Sequence, residues 1–205
     1  GSLYHTTKIM DTDLLFYYVR IWNLRVTDLM QGPVYGIFTD ENRSDDRLLS
    51  FFSYDELFGT VLNRFVVQAV IGYPLTIYGK GGQTRGYLNI MDTLNCVRLS
   101  LEHPAAEGEL RIFNQFTETF SVNELAEKVQ TAGKELGLSV KINHLSNPRK
   151  ELEEHYYNPV HTGLLDLGLK PHYLTKEVLV EMMAFAQKHR TSIAEHKIFR
   201  GTRWD

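Results

Sequence analysis

Short apolar runs alternate along this chain with longer stretches of helical period, and glycine stands at several of the junctions. That alternation commits the chain to an α/β architecture, because each element must bury one face against a neighbour of the other kind. From Tyr4 to Trp22, the residues Ile9, Leu14, Leu15, Tyr18 and Ile21 or Trp22 recur at helical spacing and predict a buried helix. Arg25 to Met30 has the bulk of a strand, followed by a Gly32-Pro33-Val34-Tyr35-Gly36 loop. Residues 39–53 are polar enough to be an exposed excursion, and a helix is expected from Tyr54 to Gly72, closed by Gly72 and Pro74. Leu75 to Tyr78 reads as a strand, Gly79 to Gly82 as a loop, and Leu88 to Ile90 as a brief strand before a helix capped near Asp92. Leu110 to Phe113 and Val140 to Leu145 are further strands. Between them Ser121-Val-Asn-Glu124 is a capping box opening a helix that stops at Gly137. Helices from His161 to Leu167 and from Lys176 to His189 complete the pattern. No repeat or linker interrupts it, so one packed unit is expected.

Composition narrows the class. The net charge of −3 offers no basic excess for nucleic acid, and 43% hydrophobic residues are ordinary for a folded domain. The lone Cys96 cannot form an internal disulfide, which favours a reducing, cytoplasmic-type compartment. The apolar run from Phe65 to Ile71 falls short of the roughly 18 residues of a membrane span. Gly1-Ser2 leads straight into Leu3-Tyr4-His5 without a charged n-region, so no signal peptide is read here. The opening has the character of mid-protein sequence, and a fragment is expected.

Tyr4 and Lys8 stand four apart, on one face of the first helix, where an ammonium can lower a phenol's pKa and let the phenolate act as a base. Chance supplies about 0.5 such pairs in a chain of this composition, so the spacing alone proves little and favours a plain surface pair. The segment Gly79-Lys-Gly-Gly-Gln-Thr-Arg85-Gly-Tyr87 joins a strand end to glycines and a guanidinium, an arrangement that can approach a phosphate. A hairpin with a solvated arginine is the alternative, and no Walker A sequence is present. His5, His144, His155, His161 and His172 show no HExxH pattern, so no metal is expected. The run from Arg149 to Asn158 mixes charges with aromatics and reads as a solvated helix followed by an extended segment.

The joint order of these pieces resembles the second half of an extended short-chain dehydrogenase/reductase acting on nucleotide sugars. In that family a Tyr-x-x-x-Lys helix precedes a sheet strand, a glycine-proline loop, a helix before "PLTIYG", an arginine in the next loop and a late arginine. Here these are Tyr4/Lys8, Arg25 to Gln31, Gly32-Pro33, Asn63 to Gly72, Pro74 to Gly79, Arg85 and Arg149. Further stretches resemble the branch that makes UDP-sulfoquinovose. They are Thr27-Asp28-Leu29-x-Gln31-Gly32, Phe58-Gly59-Thr60-x-Leu62-Asn63-Arg64-Phe65, Tyr78 to Leu88, Phe113-Asn114-Gln115-Phe116-Thr117-Glu118 and Glu153-Glu154-His155-Tyr156-Tyr157-Asn158. Epimerases and 4,6-dehydratases usually carry Arg-Asp where this chain has Arg85-Gly86, and they lack the Glu-Glu-His-Tyr-Tyr-Asn run.

The resemblance implies the C-terminal part of a Rossmann-type enzyme with its small α/β substrate-binding domain. Residues 1–36 would end the NAD-binding domain and 37–205 would mainly bind the UDP-sugar, with about 87–115 returning to the Rossmann sheet. It implies conversion of UDP-glucose and sulfite to UDP-sulfoquinovose and water through a 4-keto sugar, with NAD as cofactor, for sulfolipid or sulfoglycan synthesis. Tyr4, Lys8 and His5 would be catalytic, and Tyr4, Lys8, Gln31 and Val34 would meet the cofactor. Thr60, Asn63, Arg64, Thr76, Tyr78, Gln83, Arg85, Arg149 and Tyr156 would meet the substrate. A homodimer without nucleic acid or membrane partners is implied, placed in the cytoplasm or, in a plant or alga, the plastid stroma. The chain lacks the family's Gly-x-x-Gly-x-x-Gly opening, its acidic ribose residue and a catalytic Thr/Ser ahead of Tyr4. An N-terminal Rossmann half is therefore expected elsewhere. Another epimerase or dehydratase, or a non-catalytic UDP-sugar-binding or interaction module, remains as an alternative.

Overall fold

A computed structural model of the protein describes residues 3–55, 58–146 and 157–198. The chain runs α1 (Leu3–Trp22), β1 (Val26–Gln31), β2 (Val34–Tyr35), α2 (Val61–Ile71), β3 (Leu75–Tyr78), β4 (Thr84–Asn89), α3 (Ile90–Glu102), β5 (Leu110–Gln115), β6 (Glu118–Ser121), α4 (Val122–Glu135), β7 (Ile142–Leu145), α5 (Gly163–Asp166) and α6 (Lys176–Lys188). It is α/β, as the alternation predicts.

β1 and β5 run parallel and in register from Val26↔Leu110 to Gln31↔Gln115. Asn23, just past α1, adopts a left-handed φ of 52°, which ends the helix in the manner of a C-terminal glycine and turns the chain back along β1. Thr12 Oγ1 donates to Asp28 Oδ2 at 2.7 Å and ties the helix to the strand. Yet Val19 is the one buried residue of α1, while Leu3, Ile9, Phe16, Ile21 and Trp22 are exposed. The burial expected of this helix is therefore not found. Its period makes it a helix, but among the described residues it packs mainly on β1 and β5, and two strands are too narrow to cover it.

The rest of the chain builds two small sheets and a three-helix layer. β2 pairs in parallel with β4, β4 pairs antiparallel with β6, and β3 pairs in parallel with β7. Helices α2, α4 and α6 pack on one another and bury Leu62, Phe65, Leu125, Val129, Met182 and Met183 with Leu75 and Ile77 of β3. A second, smaller core joins Cys96 and Leu99 of α3 to Leu164 and Leu169, packed against Leu29 of β1 and Phe113 of β5. Gln68 is wholly buried in α2 and meets Thr76 twice, donating to its Oγ1 at 2.9 Å and accepting its backbone N–H at 3.1 Å. The side chain thus serves as a substitute strand on the edge of β3 that β7 does not use. Gln68→Leu keeps the volume but leaves the buried Thr76 N–H without its acceptor, while the hydroxyl keeps its bond to the Pro74 carbonyl at 3.3 Å. It should cost about 1–3 kcal/mol, which a urea melt of this chain would register as a lower midpoint at unchanged slope.

Several element boundaries depart from the sequence expectation for local reasons. α2 starts at Val61, not near Tyr54, because Thr60 caps it by accepting the Asn63 N–H at 3.2 Å. α3 is capped by Asn89, which accepts the Met91 N–H, and not by Asp92. Asp92 is instead fully buried, accepting the His172 backbone N–H at 2.9 Å and standing 2.6 Å from His172 Nδ1. The polar excursion contains an inward-turned anchor. Asn42 is buried, accepts the Thr39 N–H and donates to the Ile37 carbonyl. β2 lies inside the expected Gly32–Gly36 loop, and β6 is a strand the sequence did not suggest.

Candidate functional site

Tyr4, His5 and Lys8 share the first turns of α1. Tyr4 is 66% exposed, and Lys8 Nζ lies 6.0 Å from the centre of its ring. Lys8 also donates to Asp11 Oδ2 at 2.9 Å, and that bond holds the ammonium's pKa above its ordinary value. The His5 imidazole stands edge-on to the phenol, centroids 5.6 Å apart. The Thr12–Asp28 bond fixes their level relative to the sheet. Tyr4 lies eight residues up the helix from Thr12, about 12 Å at 1.5 Å each. Gln31 lies three residues up the strand from Asp28, about 10 Å at 3.3 Å each. The phenol is thus level with the carboxyl end of β1, which is where open parallel sheets receive ligands.

At that end Gln31 is exposed and Gly32 donates to the Gln115 carbonyl at 3.0 Å, prolonging the β1–β5 pairing by one step. Pro33 then accepts the Leu88 N–H, and Val34 pairs with Leu88, so the loop is laid directly on β4. A Cβ on Gly32 would strike the Gly86 carbonyl, and one on Gly86 would fall 2.7 and 2.8 Å from Cδ2 and Cδ1 of the Phe116 ring. Neither position has room for a side chain. This accounts physically for Arg85-Gly86, since a carboxylate at 86 would occupy the ring's place. Arg85 itself is exposed at the edge of β4, its Nη1 donating to the Thr84 carbonyl at 2.8 Å.

Thr60, Asn63, Arg64, Thr76 and Tyr78 gather where α2 meets β3. Thr60 caps α2, and Asn63 donates to the Ser53 carbonyl at 3.0 Å. Arg64 reaches the Thr76 carbonyl at 3.3 Å and lies over the Tyr78 ring at 5.4 Å, so α2 and the end of β3 meet there. Thr76 is 2% exposed, with its hydroxyl and amide engaged by Gln68. Among the described residues two buried acceptors, Asn63 Oδ1 and Gln83 Oε1, have no hydrogen-bond partner. Leaving a buried carbonyl unpaired costs about 1–3 kcal/mol, which a ligand's N–H or O–H would recover. Arg149 and Tyr156 lie outside the described residues.

Sequence reasoning missed Asp11, which competes for Lys8, and Phe116, which lies on Gly86. The glycine after Arg85 was the available signal for the latter. Among the described residues no three His, Cys, Asp or Glu side chains gather as a metal site. The buried Cys96 thiol has its pKa pushed up by desolvation, which keeps it an unreactive core group. A hollow of about 370 Å³ between α4 and α6, lined by Glu124, Lys128 and Lys176 among others, contains none of the predicted residues.

No family model matches the chain. Among solved structures it is similar to a UDP-glucuronic acid 4-epimerase from Bacillus cereus in complex with UDP-glucuronic acid and NAD, with a TM-score of 0.67 and 19% identity over 90% of this chain and 52% of that one. A dTDP-glucose 4,6-dehydratase from Bacillus anthracis in complex with NAD gives a TM-score of 0.67 and 16% identity over 93% of this chain and 54% of that one. The fold is that of the extended short-chain dehydrogenase/reductases. By sequence the chain is similar, over its whole length, to UDP-sulfoquinovose synthases. It is 49% identical to the chloroplastic protein of Spinacia oleracea and 46% identical to that of Sulfolobus acidocaldarius, covering 42% and 52% of their lengths. It thus spans about half the length of these curated relatives.

Proposed function

We propose that this chain carries the catalytic helix and the sugar-nucleotide side of an enzyme that converts UDP-glucose and sulfite to UDP-sulfoquinovose and water. The observation that carries the proposal is the unbroken similarity to UDP-sulfoquinovose synthases over all of the chain. Tyr4 Oη takes the proton from the 4-hydroxyl, and the Lys8 ammonium beside it favours the phenolate. With the 4-position a ketone, the C5 proton becomes acidic. His5, against the Tyr4 ring, removes it and protonates the departing C6 hydroxyl. Sulfite then adds at C6 of the enone and a proton returns to C5, so carbon–sulfur replaces carbon–oxygen, one water leaves, and Tyr4 gives its proton back to the C4 oxygen as the alcohol is restored.

The residues present suit the nicotinamide-ribose end of NAD. Tyr4 and Lys8 offer a hydroxyl and an ammonium level with the carboxyl end of β1, and Gln31 and Val34 flank the loop there. When bound, NAD supplies the hydride acceptor and donor for C4. On the substrate side, Arg85 and Arg149 bracket the diphosphate, with Thr60, Asn63, Arg64, Tyr78, Gln83 and Tyr156 around the uridine and sugar, whereas the buried Thr76, held by Gln68, supports Arg64 from behind and does not meet the substrate. The unpaired Asn63 Oδ1 and Gln83 Oε1 support that assignment. Arg85→Ala should weaken UDP-glucose binding by about 1.5–3 kcal/mol, roughly 10- to 150-fold, by calorimetry. Unchanged affinity would remove Arg85 from the diphosphate site.

The uncovered apolar face of α1 supports two partners for the chain, a nucleotide-binding half like that of its longer relatives and a second copy. No described helix is long and apolar enough to cross a membrane. The proposed setting is the cytoplasm, or the plastid stroma in a plant or alga. The test is mass spectrometry of products from UDP-glucose, NAD and the complete enzyme, with and without sulfite. A sulfite-dependent product in which sulfonate replaces hydroxyl supports the proposal. UDP-galactose, or a 4-keto-6-deoxy sugar indifferent to sulfite, would make the protein an epimerase or dehydratase. Binding without turnover would make it a UDP-sugar-binding module.

A further inference from the structure

The β1–β5 pair and the β2–β4–β6 sheet meet at one three-residue joint. β1 runs into Gly32 and β5 runs into Phe116, and both land on Gly86 of β4. A Cβ on Gly32 would meet the Gly86 carbonyl and come 3.3 Å from Phe116 Cβ, and a Cβ on Gly86 would enter the Phe116 ring. Two of the three members therefore have bare backbone in mutual contact, and the ring of the third covers Gly86. Phe116 is 5% exposed, and its position is fixed on every side. Thr117 donates to the Tyr87 carbonyl at 2.9 Å, and the His161 ring stacks on Phe116 with centroids 4.4 Å apart and planes 28° from parallel. Tyr157 adds a tilted ring at 6.1 Å.

We infer that Phe116 is a positioning residue whose ring, wedged between the end of β5 and the Gly86 backbone, sets how the strand carrying Arg85 sits on the ends of β1 and β5, beside Gln31. The inference rests on the function proposed above, in which Gln31 faces the nicotinamide and Arg85 the diphosphate. The ring that backs Gly86 then helps fix where Arg85, and with it the anchored end of the substrate, lies relative to the ends of β1 and β5. Close-packed joints of this kind transmit a changed volume as a shift of backbone. Misplacement by about 1 Å costs on the order of 100-fold in rate. UDP itself touches only one side of the joint, so its binding is insensitive to that placement.

Two measurements on the complete, NAD-loaded enzyme separate this role from general packing, namely the rate of NAD reduction by UDP-glucose in a single turnover and the affinity for UDP. For Phe116→Leu the rate should fall about 10- to 100-fold, with UDP affinity kept within about 3-fold. Phe116→Tyr, which keeps the ring, should restore the rate to within about 3-fold of the parent. Gly86→Ala, which pushes from the other side, should show the same split. If Phe116→Leu does not fold, His161→Ala removes only the outer half of the stack and is read by the same pair of measurements. Loss of rate and affinity in equal measure, or a rate untouched by Phe116→Leu, overturns the inference while leaving the proposed function standing. A parent enzyme that binds UDP but never reduces NAD with UDP-glucose overturns the proposed function, and the positioning role with it.

Discussion

Tyr4→Phe should lower turnover of UDP-glucose by about 10²- to 10⁴-fold, the range expected when a positioned acid–base group is removed. Affinity for UDP-glucose should stay within about 3-fold of the parent. The expectation follows from where the residue stands. Tyr4 is 66% exposed on the first turn of a helix whose attachment to the sheet lies further along, at Thr12 and Val19. Removing one oxygen there disturbs no packing, so a changed rate reports chemistry. Lys8 remains a cation in this setting, because its bond to Asp11 favours the charged form. The measurement is single-turnover reduction of NAD beside calorimetric UDP-glucose binding, on the complete enzyme. Wild-type-like reduction by the Phe variant would assign the proton transfer to another group.

The order of elements was legible in the sequence because period and punctuation are local signals. Ser121 and Glu124 form the expected capping box, with Ser121 Oγ accepting the Glu124 N–H and the Glu124 carboxylate accepting the Ser121 N–H. Gly137 takes the left-handed φ of 69° that a helix stop requires. Where two residues could cap one helix, sequence alone chose badly. Asp92 is as good a cap as Asn89 by type, but the buried site beside His172 claims its carboxylate. Burial was the other weak point. The apolar residues of α1 establish its period, yet what covers them is a property of other surfaces, and the sequence of one helix does not contain it.

For the candidate site, the family order of Tyr4/Lys8, Gly32-Pro33 and Arg85 was visible, and the structure lays the Gly32 loop against the strand next to Arg85. Contacts between distant segments were not visible. Thr76 was read only as a substrate neighbour, and its hold on Gln68 emerges only when α2 is packed on β3. Phe116 looked like one aromatic of a similar stretch until its ring was found on Gly86.

Replacing His5 should change the outcome of the reaction, not merely its speed. His5 lies next to the Tyr4 phenol, with its ring edge-on at 5.6 Å and at an angle of 77°. In the proposed reaction the phenol acts at the 4-hydroxyl, so a base one residue along the helix would serve the neighbouring C5 and C6. In His5→Ala the 4-hydroxyl proton still has its acceptor, and NAD reduction should proceed within about 10-fold of the parent rate. Loss of water from C6 should be slowed by about 10²-fold or more, the usual worth of a general acid–base group. The enzyme would then stall with a 4-keto sugar that retains its 6-hydroxyl, and sulfite would add nothing. Quenching a single turnover and weighing the sugar nucleotide distinguishes the possibilities. Accumulation of the 4-keto form of unchanged carbon skeleton, with no sulfonated product, assigns C5 and C6 to His5. Normal yield of sulfonated product from His5→Ala would return His5 to a packing role beside Tyr4 and leave the elimination to a group on another segment.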